Sequence, residues 1–202
     1  MPEIMFIMGK SATGKDHVAK ALLSDPELKL KPVLLYTTRP MRSGEREGVE
    51  YHFTDDTGLE GFEAADKVIE KRTYQTVAGP WNYFTADDGQ IQLGGENHYL
   101  VIGTLEAYLS YVKYFGREHL YPIYIEVSDK ERLLRSIKRE EKNEHPKFNE
   151  VCRRYLADEE DFSENHLMEA GICERFNNDG DIADTVEAVK ASIVRECRPM
   201  LK

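Results

Sequence analysis

The sequence predicts an α/β fold: a mostly parallel sheet covered by helices, a small mixed lobe and a helical lid. Three observations carry this. Short apolar runs at residues 4–8, 99–103 and 121–127 alternate with helix-like segments, the pattern of βαβ units. Between residues 36 and 85 the alternation breaks and strands cluster. Residues 138–147 form a charged, polar stretch with the profile of a mobile segment.

In chain order, residues 4–8 read as a buried strand ending in glycine. Residues 15–23 read as a helix with Val18, Ala21 and Leu22 on one face. Residues 32–37 form a second strand, stopped by Arg39-Pro40. A short strand at 49–53 precedes a helix at 57–65, with Leu59 and Phe62 inward. Strands at 68–76 and 81–85 flank a turn at Ala78-Gly79-Pro80. A strand at 99–103 leads to a helix at 105–115. The strand at 121–127 leads to a helix capped by Ser128. A long helix at 149–170, a last strand at 172–176 and a closing helix at 181–195 complete the chain. One domain spans 1–202: a core of 1–35, 89–134 and 165–202, a lobe of 36–88 and a lid of 135–164.

Composition sets limits. The chain has 202 residues, of which 41% are hydrophobic, enough for an ordinary core and too few for a membrane protein. No apolar run approaches the roughly 20 residues of a membrane span, and the first residues do not read as a signal peptide. The formal charge of −10 disfavours general nucleic-acid binding. Cys152, Cys173 and Cys197 match no zinc or redox spacing and are expected as reduced thiols of a cytoplasmic protein. The six histidines show no ligand spacing.

Two motifs carry chemistry. Gly9-Lys10-Ser11-Ala12-Thr13-Gly14-Lys15-Asp16 matches G-x-x-x-x-G-K between a strand and a helix. In that setting glycines let backbone N–H groups converge on phosphates, the helix N-terminus adds its dipole, and Lys15 reaches the outer phosphates. This is a P-loop. Asp16 replaces the usual hydroxyl residue; its carboxylate is a hard oxygen ligand suited to Mg²⁺, directly or through water. The second motif runs from Thr37 to Phe53. Arg39 and Arg42 offer bidentate forks for phosphate, and Tyr51 a neutral donor.

That second segment reads T-T-R-x-x-R-x-G-E-x-x-G-x-x-Y-x-F and resembles the guanylate kinase family, where it grips the GMP phosphate; every fixed position is matched here. The resemblance implies a P-loop NTPase core with a GMP-binding lobe. It implies a nucleoside monophosphate kinase of purine nucleotide metabolism that catalyses ATP + GMP ⇌ ADP + GDP with Mg²⁺. The implied partners are these small substrates, with no nucleic acid and no membrane, and the implied assembly a monomer or homodimer. Residues 9–16 correspond to the ATP loop. Arg39, Arg42, Tyr51 and Tyr83 look like the phosphate-gripping set. Glu70 looks like the glutamate that accepts from guanine N1 and the 2-amino group, and Thr85 stands where the family has a serine on the base. Arg135, Arg139 and Arg154 match arginines that converge with Lys15 on the transferring phosphoryl. Asn178 resembles an asparagine near the adenine or the lid arginines.

Two positions depart from the family. Gly103 stands where an aspartate helps hold guanine, and Leu35 where a serine lies near the base. Guanine contacts are thinned while phosphate contacts remain, and Gly103→Asp is expected to widen base selection where there is room. Two rival readings share the fold. Kinases for ribose 1,5-bisphosphate also carry Gly-Lys-Asp in the P-loop, and scaffold proteins contain non-catalytic domains of this shape.

Overall fold

The computed structural model describes residues 2–76, 79–95 and 97–197. Five strands form a wholly parallel sheet in the order β2-β7-β1-β8-β9. These are β1 (Ile4–Met8), β2 (Leu30–Pro32), β7 (His98–Ile102), β8 (Leu120–Glu126) and β9 (Arg175–Asn177). β1 is central and apolar throughout because both faces are covered. Ile4, Phe6 and Met8 join the cluster that includes Tyr108 and Tyr111 of α3 (Leu105–Phe115). Met5 and Ile7 join Val18 and Leu22 of α1 (Lys15–Leu23), and Val189 and Ile193 of α7 (Ile182–Cys197). No helix among the described residues is long and apolar enough to cross a membrane.

A second, mixed sheet runs β4-β3-β6-β5. It comprises β3 (Tyr36–Thr37), β4 (His52–Phe53), β5 (Val68–Thr76) and β6 (Gly79–Ala86), packed on α2 (Asp56–Ala64) through Leu59, Phe62 and Phe84. Residues 32–37 are therefore not one strand. The chain leaves the parallel sheet after Pro32, and Leu34 N–H is taken by Gln90 Oε1 at 2.8 Å during the crossing. Gly79 and Pro80 pair within β6, opposite Thr76 and Gln75; Ala78 of the expected turn lies outside the described residues.

The lid side holds α4 (Asp129–Glu140), α5 (Phe148–Asp161) and α6 (Glu164–Glu169). The helix expected over 149–170 is thus two helices. Phe162, only 5% exposed, turns into the core beside Tyr124 at a ring distance of 5.7 Å, and Ser163 starts a new helix. α4 runs to Glu140, into the stretch expected to be irregular. Ser128 precedes α4 but does not cap it with its side chain; its Oγ donates to Asp179 Oδ1 at 2.8 Å.

Candidate functional site

The P-loop leaves β1 and enters α1 through three residues with positive φ: Gly9 at 155°, Ala12 at 66° and Gly14 at 85°. Two glycines are required by close approach. A Cβ on Gly9 would stand 2.4 Å from the Ile125 carbonyl oxygen, and one on Gly14 would stand 2.5 Å from Asn178 Nδ2. Asn178 is 3% exposed and donates from Nδ2 to Thr13 O at 2.8 Å; its Oδ1 accepts from Thr185 at 3.0 Å. It braces the loop from the end of β9. Within the loop, Thr13 Oγ1 donates to Lys10 O at 2.9 Å.

Lys15 and Asp16 open α1. Burial lowers the Lys15 ammonium below its usual range. The fields of Asp16 and Asp158 act the other way, and those of Arg154 and Arg139 add to the lowering. The described residues thus bring two of the three lid arginines of the sequence reading into the electrostatic neighbourhood of Lys15. Arg135 approaches through a different contact, donating from Nη2 to Asn178 O at 2.9 Å and from Nε to Glu131 at 3.0 Å. A cavity of about 580 Å³ is lined by Gly14, Lys15, Asp16, Arg135, Arg139 and Arg154.

The lid also delivers acids to this loop. Asp158 Oδ2 accepts Ser11 N–H at 2.7 Å, and Glu159 pairs with Lys10 Nζ at 2.7 Å. Both carboxylates are held by Arg132, whose side chain is 1% exposed: Nη1 reaches Asp158 at 3.2 Å and Nη2 bonds Glu159. Its guanidinium lies 4.0 Å from the Tyr155 ring centroid. Helix α5 therefore sits on the P-loop through an Arg132–Asp158–Glu159 network.

A larger cleft, about 890 Å³, joins the P-loop to the mixed lobe; Lys15, Asp16, Tyr51, Tyr83, Gly103 and Arg154 are on its walls. Arg154 lines both cavities. In the lobe, Arg39 and Arg42 sit in different environments. Arg39 is buried and forms a bidentate pair with Glu45, 2.8 Å on both oxygens; it also donates from Nε to Tyr83 Oη at 3.2 Å. Its guanidinium lies 5.5 Å from both the Tyr51 and Phe53 rings. Arg42 is exposed, and no side-chain hydrogen bond or salt bridge holds it among the described residues. Burial raises the Tyr51 phenol, which stays a neutral donor at neutral pH.

Deeper in the lobe, Glu70 faces Thr85 across β5 and β6, and Thr85 Oγ1 donates to Glu70 Oε1 at 3.2 Å. Arg72, two residues on and therefore on the same face, donates from Nε to Glu70 Oε2 at 3.1 Å. Burial raises the Glu70 carboxyl, against the opposing pull of Arg72 and Thr85. There is no room for a side chain at Gly103: a Cβ would stand 2.6 Å from the Phe6 ring and 3.3 Å from Ala107 Cβ. That ring is fully buried and packed edge-on by Tyr108 and Tyr111. The gain in base selection expected from Gly103→Asp depended on room for its side chain, and this contact leaves none.

Sequence reasoning missed Arg72, Arg132, Asp158, Glu159 and the part Glu45 plays. Two of these carried a readable signal. Arg72 is at i+2 from Glu70 in a strand, and Asp158 is at i+4 from Arg154 in a helix, so each shares a face with a residue already singled out. Arg132 carried none, since a charged residue in a charged helix reads as solvated.

The guanylate kinase family model matches residues 1–194. A guanylate kinase of Mycoplasma pneumoniae is 38% identical over 71 residues, which is 35% of this chain and 30% of that protein. One of Brucella melitensis is 37% identical over 67 residues, 33% of this chain and 30% of its own length. The chain thus spans under a third of the length of these curated relatives. The crystal structure of guanylate kinase from Anaplasma phagocytophilum superposes with a TM-score of 0.60 at 19% identity, covering 96% of this chain and 86% of the other, a likeness of fold. With a P-loop core, a mixed lobe facing it and a family model matched over almost its full length, this chain belongs to the guanylate kinase family.

Proposed function

We propose that the protein transfers the γ-phosphoryl group of ATP to the phosphate of GMP, giving ADP and GDP. The observation that carries this reading is the cleft shared by Lys15 and Arg154 on one side and by Tyr51 and Tyr83 on the other. A phosphate oxygen of GMP attacks the γ-phosphorus, and the bond to the β–γ bridging oxygen breaks, so that the electron pair leaves on ADP. The attacking phosphate is already ionised at neutral pH, so no general base is needed. Catalysis then consists of positioning and charge stabilisation. Lys15, Arg135, Arg139 and Arg154 are the cations for the transferring group. Arg42, Tyr51 and Tyr83 hold the acceptor phosphate, together with the one Arg39 N–H left after its bonds to Glu45, Pro40 and Tyr83. Glu70 and Thr85 read guanine.

Mg²⁺ is read as arriving with ATP. Asp16 suits it: the side chain is exposed at the start of α1, and its carboxylate makes no hydrogen bond or salt bridge among the described residues. Bound there, the ion would offset phosphate charge alongside Lys15. Domain limits follow the same reading, with residues 36–88 as the acceptor lobe and 135–164 as the lid. The form proposed is a cytoplasmic enzyme, monomeric or homodimeric. The test is ADP release measured with GMP, dGMP, AMP, UMP and ribose 1,5-bisphosphate as acceptors. GMP is expected to give the highest kcat/KM. A higher value for ribose 1,5-bisphosphate would overturn the assignment, and no turnover with any acceptor would make the domain a binding module.

A further inference from the structure

On the cleft face of the lobe, Glu70, Arg72 and Tyr74 of β5 stand opposite Thr85, Tyr83 and Trp81 of β6. The Glu70 side chain is 3% exposed and that of Arg72 20%; Arg72 lines the cleft, and the carboxylate lies buried beneath its guanidinium. Arg72 donates twice to Glu70, from Nε to Oε2 at 3.1 Å and from Nη2 to Oε1 at 3.4 Å. Of the cleft residues nearby, Leu35 is apolar, and Gly103 has no space for a side chain against Phe6.

We propose that Arg72 is a specificity-determining positioning residue: paired with Glu70, it holds that side chain as an oriented carboxylate, so that the pocket takes guanine and refuses adenine. This rests on the reading of GMP as the acceptor. A carboxylate presents only acceptors and matches the two donors of guanine, N1–H and the 2-amino group. A carboxylic acid presents one donor and one acceptor. That pair matches adenine, whose N1 accepts and whose 6-amino group donates. The protonation state of one buried side chain therefore sets the preferred base.

The groups around Glu70 divide clearly. Burial, and the field of Glu106 on α3, favour the neutral acid; Arg72 on β5 and Thr85 on β6 favour the carboxylate. Tyr111 approaches from α3 and stays uncharged, because burial pushes its phenol up. Arg72 is the cation among these groups. It also leaves room for the base. A carboxylate has about four lone-pair sites. Arg72 Nε and Thr85 hold two, while the 3.4 Å contact from Nη2 lies at the edge of hydrogen-bond length and yields readily. Two sites then remain for the two guanine donors.

The experiment compares wild type, Arg72→Met and Arg72→Lys by the ratio of kcat/KM for GMP to that for AMP, between about pH 6 and 8.5. The ratio cancels the titration of the phosphate common to both nucleotides. The wild-type ratio is expected to be flat. In Arg72→Met it should fall about tenfold at the acid end and climb back as Glu70 ionises, while Arg72→Lys stays within about threefold of wild type at every pH. An unchanged or increased ratio in Arg72→Met overturns the proposal, the increase meaning that Arg72 merely competes with guanine for Glu70. A second readout needs no substrate: the carboxyl ¹³C titration of Glu70, assigned with Glu70→Gln, should move to higher pH in Arg72→Met and not in Arg72→Lys. Equal titration in all three proteins removes the hold by Arg72. A wild type that ignores GMP removes the proposed function, and the base assignment with it.

Discussion

The carboxylate of Asp158, on helix α5, accepts the backbone N–H of Ser11, inside the P-loop, at 2.7 Å. The same carboxylate is 3.2 Å from the buried Arg132 guanidinium. A lid helix thus rests a negative charge on the loop that the proposed function assigns to ATP phosphates. Two like charges cannot share that space cheaply, so nucleotide binding should require Asp158 to withdraw. Asp158→Asn keeps an oxygen for the Ser11 N–H and removes the charge. We expect ATP to bind more tightly by about 1 kcal/mol, roughly fivefold in Kd, by isothermal titration. Stability should move the opposite way, since Arg132 keeps Glu159 and Asp129 but loses the third of its carboxylate partners. A weaker Kd in Asp158→Asn would mean that Asp158 supports binding.

Lys15→Ala removes a cation from the centre of the cleft while leaving the Gly9 and Gly14 approaches intact. The loss of transition-state stabilisation should be at least about 3 kcal/mol, or two decades in kcat. The fold should survive, because deleting a side chain whose burial already disfavours its charge leaves no unpaired partner. Turnover near wild type in this variant would end the kinase reading.

Much of this was legible beforehand. The parallel core could be read because β1 is buried on both faces, and its five apolar residues announce it. The P-loop could be read because its glycines are demanded by Ile125 O and Asn178, contacts that no other residue type tolerates. Asn178 itself was visible by resemblance, but its hydrogen bond to Thr13 was not, since it joins positions 165 residues apart. The split of the 149–170 helix was hidden for a similar reason. Local periodicity continues through Phe162, and what ends the helix is Tyr124 on a distant strand. Arginine gave the clearest failure. Arg39 and Arg42 look equivalent in sequence, yet one is buried against Glu45 and the other is exposed.

Gly103 gives a prediction with a steric sign. A methyl group there meets the Phe6 ring at 2.6 Å, and that ring has no free direction between Tyr108 and Tyr111. Gly103→Ala should therefore cost about 1–3 kcal/mol of stability by overpacking. Gly103→Asp should cost more and gain no guanine selectivity, because its carboxylate cannot reach the base without displacing the core. Chemical denaturation and the GMP to AMP ratio read the two effects separately. A stable Gly103→Asp with wider selectivity would show that Phe6 gives way.

The pair of Arg39 and Glu45 predicts how the mixed lobe responds to acid. The bidentate bond from Arg39, followed by the Arg42 N–H, pulls the Glu45 carboxyl from its ordinary 4.5 to about 2. The folded value lies below the unfolded one. Its stabilising contribution is therefore complete above about 4.5 and is lost as the pH falls through that value toward 2. Glu45→Gln should be less stable than wild type at neutral pH, since buried Arg39 loses its counter-charge. The gap should narrow steadily in acid and close where wild-type Glu45 is itself protonated. Urea denaturation of both proteins at about pH 7, 4.5 and 3 measures this directly. Near-UV circular dichroism should report the loss first through Tyr51 and Tyr83, whose rings lie 5.6 Å apart beside Arg39. A gap that stays constant across this range would mean that Glu45 acts by shape and not by charge. Arg39 would then be held by Tyr83 and the stacked rings alone.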